Sequence, residues 1–221
     1  MKLFHFPQAC SRVALTALEE AGFEYEDQVI NILEAEQQSP EYLAIHRSGK
    51  VPALQVGEQV ITENPSIIYY LHRQAPSAHL LPEVGTEVEQ AQQVSDLVWC
   101  SSTVHPTMRQ VRMPIRFTDG DPSGIQAKGH ELLTGIAKHV NDRIGDGWWY
   151  ADQWSIVDVY LTWIFTTGVL GGFELTEYPN IQALIDKIES KDSYRQALAR
   201  EQAAWNAHKQ KQKQKQEQEQ Q

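Results

Sequence analysis

The rhythm of apolar and polar positions changes several times along the chain, and each change marks an element. Lys2 to Phe6 alternates Leu3 with His5 and runs into Pro7, which predicts a short strand ending in a turn. From Ser11 the spacing shifts to Val13, Ala14, Ala17, Leu18 and Ala21, a helical stripe that Gly22 closes. Phe23 to Ile32 reads as a second strand and Pro40 to Ile45 as a short helix. Ala53 to Val56 and Gln59 to Thr62 flank Gly57-Glu58, a hairpin signal. Asn64 is expected to cap a helix whose first position is Pro65 and whose buried stripe is Ile67, Ile68 and Leu71. The predicted order is β-α-β-α-β-β-α.

Residues 74 to 84 carry two prolines and little periodicity, as an interdomain connection would. Strand signals then stop. Helical stripes follow at 86 to 103, 123 to 145, 155 to 170, 178 to 189 and 191 to 207, separated by Gly and Pro. The expected organisation is an α/β domain over 1–75, a linker over 76–84, an all-helical domain over 85–207 and a low-complexity tail over 208–221. That tail, of Lys, Gln and Glu, has no apolar side and reads as a frayed helix or a disordered segment.

With 221 residues, 41% of them hydrophobic, the chain is long enough for two small cores. A net charge of -10 argues against a nucleic-acid partner and against an anionic membrane surface, both of which need clustered Lys and Arg. The opening MKLFHFPQACS lacks the long apolar run of a secretory signal, and no stretch of 18 uncharged apolar residues occurs. Cys10 and Cys100 make neither a disulfide framework nor a zinc site. The expectation is a cytoplasmic protein in a reducing compartment, with no metal.

Three features of the first domain carry candidate chemistry. Lys50-Val51-Pro52 precedes a strand, where Pro suits a turn and a cis bond; such a loop leaves the backbone before it free to pair with an extended peptide. Thr62 to Ile67 ends a strand and opens a helix, whose unpaired N–H groups suit a carboxylate. Cys10 stands at the start of the first helix, where the dipole favours thiolate over thiol. Each has a structural alternative: Cys10 as a small buried hydrophobe, Glu63 as an ordinary first-turn acid, Ser11 as an N-cap rather than a donor to a thiolate. Cys10-Ser11-Arg12-Val13 holds no second cysteine, which disfavours dithiol cycling. Cys100, beside Trp99, is expected in the core, and His46, His72 and His79 at the surface or in the linker.

At this point the sequence resembles the glutathione transferase superfamily, most closely the bacterial beta class. MKLFHFPQACSRVALTALEEAG runs in register with that class, with Cys10 at its cysteine. KVPAL resembles the cis-proline loop, TENPSIIYYL the Glu-Ser-x-Ala-Ile motif, and YADQWSIVDVYL the Ser/Thr-x-x-Asp capping box of the second domain. The resemblance implies a thioredoxin-like α/β domain followed by an all-α domain, a homodimer, and glutathione as co-substrate. Carried over by position, Cys10 faces the glutathione sulfur, with Ser11 its neighbour. Val51, held by the cis-proline Pro52 of the glutathione-binding loop, pairs its backbone with the cysteinyl part, Glu63 and Asn64 hold the γ-glutamyl end, and His105 reaches the sulfur from the second domain. Met113, Phe117 and Trp163 are candidates for an apolar pocket that takes a small hydrophobic electrophile or a disulfide. His105, followed by Pro106, is equally readable as a helix terminator.

Charge departs from the class. Where it places a Lys after the second strand, this chain has Asn31-Ile32-Leu33-Glu34-Ala35-Glu36. Eight acids and no Lys or Arg lie between Val13 and His46, so little compensating charge is expected for an anionic tripeptide; Lys50 or Arg47 are the possible substitutes. Pro106 is expected to kink the fourth helix. Two readings result: a glutathione-dependent transferase or thiol transferase, and a transferase-fold interaction module with little glutathione turnover.

Overall fold

The computed structural model describes residues 1–219, with side chains through residue 214. The chain divides into two compact units: residues 1–71 together with 192–221, and residues 72–191.

The first unit is built on a four-stranded sheet in the order β2-β1-β3-β4, from β1 (Lys2–His5), β2 (Glu26–Val29), β3 (Ala53–Val56) and β4 (Gln59–Thr62). β1 runs parallel to β2 and antiparallel to β3, and β3 and β4 form the expected hairpin, with Gly57 at φ +60°. Only β2 is much shorter than its apolar run suggests. The pairing of Phe4 with Ala53, and of Leu3 with Leu54, puts one residue pair on each face of the sheet. On the first face Phe4 and Ala53 pack with Ile30 and with Tyr42 of α2 (Pro40–Ile45). Leu3 and Leu54 are fully buried too, so the sheet is covered on both sides. The other helices of this unit are α1 (Ser11–Glu20), α3 (Asn64–Gln74, which crosses the boundary) and a last helix from Asp192 to Glu219.

In the second unit, α4 (Glu87–Trp99) passes through a π turn, Cys100–Val104, into α5 (His105–Arg112). A short 3-10 turn, Pro114–Phe117, leads to α6 (Ser123–Ile144), α7 (Ile156–Val169) and α8 (Pro179–Ser190). The last helix, of the first unit, is therefore α9. The kink expected at Pro106 takes the form of the π turn. The His105 N–H bonds to the Cys100 carbonyl, the hydroxyls of Ser101 and Ser102 return to the Val98 carbonyl, and Pro106 falls in the first turn of a new helix, where its missing N–H costs little. α7 is buried from Ile156 to Phe165, as a central helix must be. α5 and α6 approach closely at Gly129, where a Cβ would stand 2.8 Å from that of Gln110.

The capping box at Ser155 and Asp158 is present. Trp149 and Tyr150 both donate to the carboxylate of Asp96, at 2.9 and 2.8 Å, and the Trp149 ring stacks on Trp99. Trp149, Tyr160, Trp163 and Phe165 are all buried and form core material. So does Cys100, fully buried, with its thiol pushed well up in pKa by burial.

Two features were not legible from periodicity. His46, expected at the surface, is buried: its ring tilts on Tyr42 and its Nδ1 accepts the Ser48 N–H. The Lys/Gln/Glu tail continues α9 as helix to Glu219, and Gln212 reaches the Glu36 carboxylate at 3.0 Å.

α9 also supplies Arg200, which donates to Glu19 at 2.9 Å and to Asp27 at 2.8 Å. His5 bonds the other Asp27 oxygen at 3.1 Å. Burial alone would raise the Asp27 carboxyl, but the bonds from His5 and Arg200 outweigh it and hold it below the usual carboxylate range. A lowered folded value means this stabilisation is complete above the unfolded pKa of about 4 and is lost as pH falls through the folded value. Asp27→Asn should therefore cost about 1 to 2 kcal/mol at pH 7 and flatten the acid limb of a urea-denaturation pH series.

Candidate functional site

Cys10 lies in a turn between β1 and α1 that is tied down from several sides. Within the turn, the Ser11 hydroxyl donates to the Phe6 carbonyl at 3.0 Å and accepts the Phe6 N–H at 3.2 Å. Ser11 is fully buried, and this exchange makes it a brace of the turn. Cys10 itself is half-buried and occupies the N-cap position of α1. Its thiol donates to the carbonyl of Val51 at 3.4 Å, and the Val51-Pro52 bond is cis. Lys50 is exposed at its side chain while its carbonyl accepts the Tyr42 hydroxyl at 2.7 Å, which anchors the loop from below.

Asn64 departs from the capping role expected of it. The helix begins at Asn64 itself, after Glu63 in the left-handed region at φ +69°. The Asn64 amide instead donates to the Cys10 carbonyl at 2.9 Å. Asn64 is 3% exposed and its Oδ1 has no hydrogen-bond partner among the described residues. A buried acceptor left in that condition costs about 1 to 3 kcal/mol unless something donates to it. Cys10, Val51, Pro52 and Asn64, far apart in sequence, thus form one cluster, and Glu63 is exposed beside Asn64.

The acids between Val13 and His46 are better compensated than their sequence surroundings suggest. Besides the Arg200 pairs, the Ser193 hydroxyl bonds Glu20, and His208 stands 3.6 Å from Glu36. All these partners come from α9, more than 150 residues away in the chain. Glu34, Glu36 and His208 each bring one ligand atom to within 4.8 Å of the others, the arrangement among the described residues with the donor set for a metal ion.

The remaining candidates stand in the helical unit. His105 is half-buried, its ring edge-on to Trp163 at 4.7 Å and to Tyr160 at 6.4 Å. Trp163 is 3% exposed and belongs to the core. Met113 ends α5, and Phe117, 46% exposed, ends the 3-10 turn.

A sequence model described as the N-terminal domain of glutathione S-transferase matches residues 1–73. The maleylacetoacetate isomerase of Pseudomonas aeruginosa is 32% identical over 205 residues, covering 89% of this chain and 95% of that protein. Among solved structures, the beta-class glutathione S-transferase of Sphingomonas chungbukensis superposes with a TM-score of 0.80 at 28% identity, covering 91% of this chain and 98% of that one. A sphingomonad glutathione S-transferase complexed with glutathione gives 0.78 at 27% identity, with 91% and 98% covered. The chain belongs to the glutathione S-transferase superfamily, a thioredoxin-like mixed sheet followed by helices. Among the described residues no helix is long and apolar enough to cross a membrane.

Proposed function

We propose that this protein is a glutathione transferase that binds glutathione against Cys10 and uses thiol chemistry at that point. The observation that carries the reading is the cluster of Cys10, the cis Val51-Pro52 loop and the buried, unpartnered Oδ1 of Asn64. Glutathione is an extended peptide with an amine at its γ-glutamyl end. Its cysteinyl backbone pairs with Val51, its amine donates to Asn64 Oδ1, and Glu63 adds a carboxylate for the same ammonium. That arrangement brings its sulfur to Cys10, where the start of α1 stabilises an anion.

Two outcomes follow from one thiolate. Attack on a carbon electrophile forms a thioether and releases the leaving group. Attack on a disulfide forms a new disulfide and releases the other half as a thiolate. With a cysteine at this position, disulfide exchange should be at least as efficient as conjugation to aromatic halides. The second substrate, a small hydrophobic electrophile or a disulfide, is assigned to the helical unit, with His105, Met113 and Phe117 as its contacts and Trp163 buried behind His105. The protein is assigned to the cytoplasm as a homodimer. Two relatives whose names and titles mention maleylacetoacetate isomerase and a glutathione complex support glutathione as co-substrate.

The test is covalent. After incubation with glutathione disulfide, peptide mass spectrometry should find glutathione on Cys10 and none on Cys100. Modification of Cys100 alone, or of neither, would contradict the reading.

A further inference from the structure

Glu201 is an acid in the wrong place for a surface helix. It is 3% exposed, on the same buried stripe of α9 as Tyr194 and Ala197. Its carboxylate is gripped by Arg12, with Nε to Oε1 at 3.2 Å and Nη2 to Oε2 at 2.7 Å, while Arg12 Nη1 reaches the Tyr194 hydroxyl at 3.5 Å. A buried carboxylate needs donors for the lone pairs that its ion pair leaves over. Oε2 takes one of them from the backbone N–H of Gln8 at 3.2 Å.

That bond falls on a telling residue. Gln8 has φ +64°, in the left-handed region that glycine enters freely and other residues resist. It is two residues before Cys10, and Arg12 is two residues after it. One carboxylate therefore holds both shoulders of the Cys10 turn, across 193 positions in the sequence from Gln8. We propose that Glu201 is a positioning residue for Cys10: with Arg12 fixing its orientation, it holds Gln8 in the left-handed turn that delivers Cys10 to the start of α1. The role rests on the reading of Cys10 as the reactive thiol. It assigns α9, beyond packing, to the site.

The rate at which iodoacetamide alkylates Cys10 in the folded protein, followed on the Cys10 peptide, tests this without any glutathione. Glu201→Ala should slow it about tenfold, since small misplacements of a reacting group are costly. Glu201→Gln, whose amide oxygen can still accept the Gln8 N–H, should be slowed only about threefold. Adding Gln8→Gly to Glu201→Ala should recover most of the rate, because glycine holds φ +64° unaided. A role in stability alone predicts no change in the folded-state rate and no rescue by glycine. A Glu201→Ala protein that is folded and reacts as fast as wild type overturns the proposal. So does equal slowing by Ala and Gln with no recovery from glycine, which would place the effect on charge alone. If Glu201→Ala does not fold, Glu201→Gln with and without Gln8→Gly decides the matter in the same way. Wild-type Cys10 reacting no faster than in the urea-unfolded chain would remove the functional reading itself, and this proposal with it.

Discussion

Replacing Cys10 with alanine should lower the rate of glutathione-dependent disulfide reduction by about a hundredfold or more, while unfolding free energy stays within about 1 kcal/mol of wild type. The asymmetry follows from the site. Cys10 is half-buried, and its thiol donates a long bond of 3.4 Å to the Val51 carbonyl, so the small side chain of alanine fits the same space at little cost. What it removes is the sulfur at the point where the proposed binding mode puts glutathione's own. Conjugation to an aromatic halide, which needs only the glutathione thiolate, should fall less than disulfide exchange. Steady-state assays with a small disulfide and with an aromatic halide, run beside a urea melt, measure both effects. Equal activity of Cys10→Ala on the disulfide would remove Cys10 from the mechanism.

The second large effect is on stability. Asp158 is fully buried at the start of α7 and accepts three bonds: from the Trp149 N–H at 2.7 Å, the Ser155 N–H at 2.8 Å and the Ser155 hydroxyl at 3.0 Å. Asp158→Ala strands two buried backbone N–H groups and opens a small void, so a loss of about 3 to 5 kcal/mol is expected, a large share of the 5 to 15 typical of a folded protein. Burial pushes the Asp158 carboxyl up to about 6, against the pull of those same hydrogen bonds. A raised folded value means the folded state keeps a proton that the unfolded state releases between about pH 4 and that value. This contribution is greatest at low pH and fades as pH rises through the window. The deficit of Asp158→Ala should thus be larger at pH 5 than at pH 7, by on the order of 1 kcal/mol. A deficit that does not vary with pH would mean that Asp158 is ionised in both states throughout.

Much of this architecture could be read from the chain because the signals were local. The hairpin at Gly57-Glu58 and the helix from Pro40 to Ile45 match the structure residue for residue, since turn chemistry and a proline at N1 act over four or five positions. Cys10, Val51 and Pro52 could be named as a site because each sits at an element boundary, where backbone groups are left free. What escaped the sequence acts at long range. Asn64 looked like a cap because asparagine before proline usually is one, yet its amide is taken by Cys10, 54 positions away. The acidic stretch looked uncompensated because Arg200 arrives on a helix whose own hydrophobic pattern is weak. Glu201 did leave a trace: an acid four residues after Ala197, on the stripe that faces inward, signals a buried cationic partner. Nothing in the local pattern said that the partner was Arg12.

The central claim is that the Cys10 cluster is a glutathione site. Calorimetric titration of glutathione into the wild-type protein tests it most directly, with Asn64→Ala as the paired variant. A saturable heat with one glutathione per chain, accompanied by a rise in melting temperature and weakened about tenfold in Asn64→Ala, is the expected result. No heat and no thermal shift at millimolar glutathione would contradict it and favour a transferase-fold protein that binds another partner.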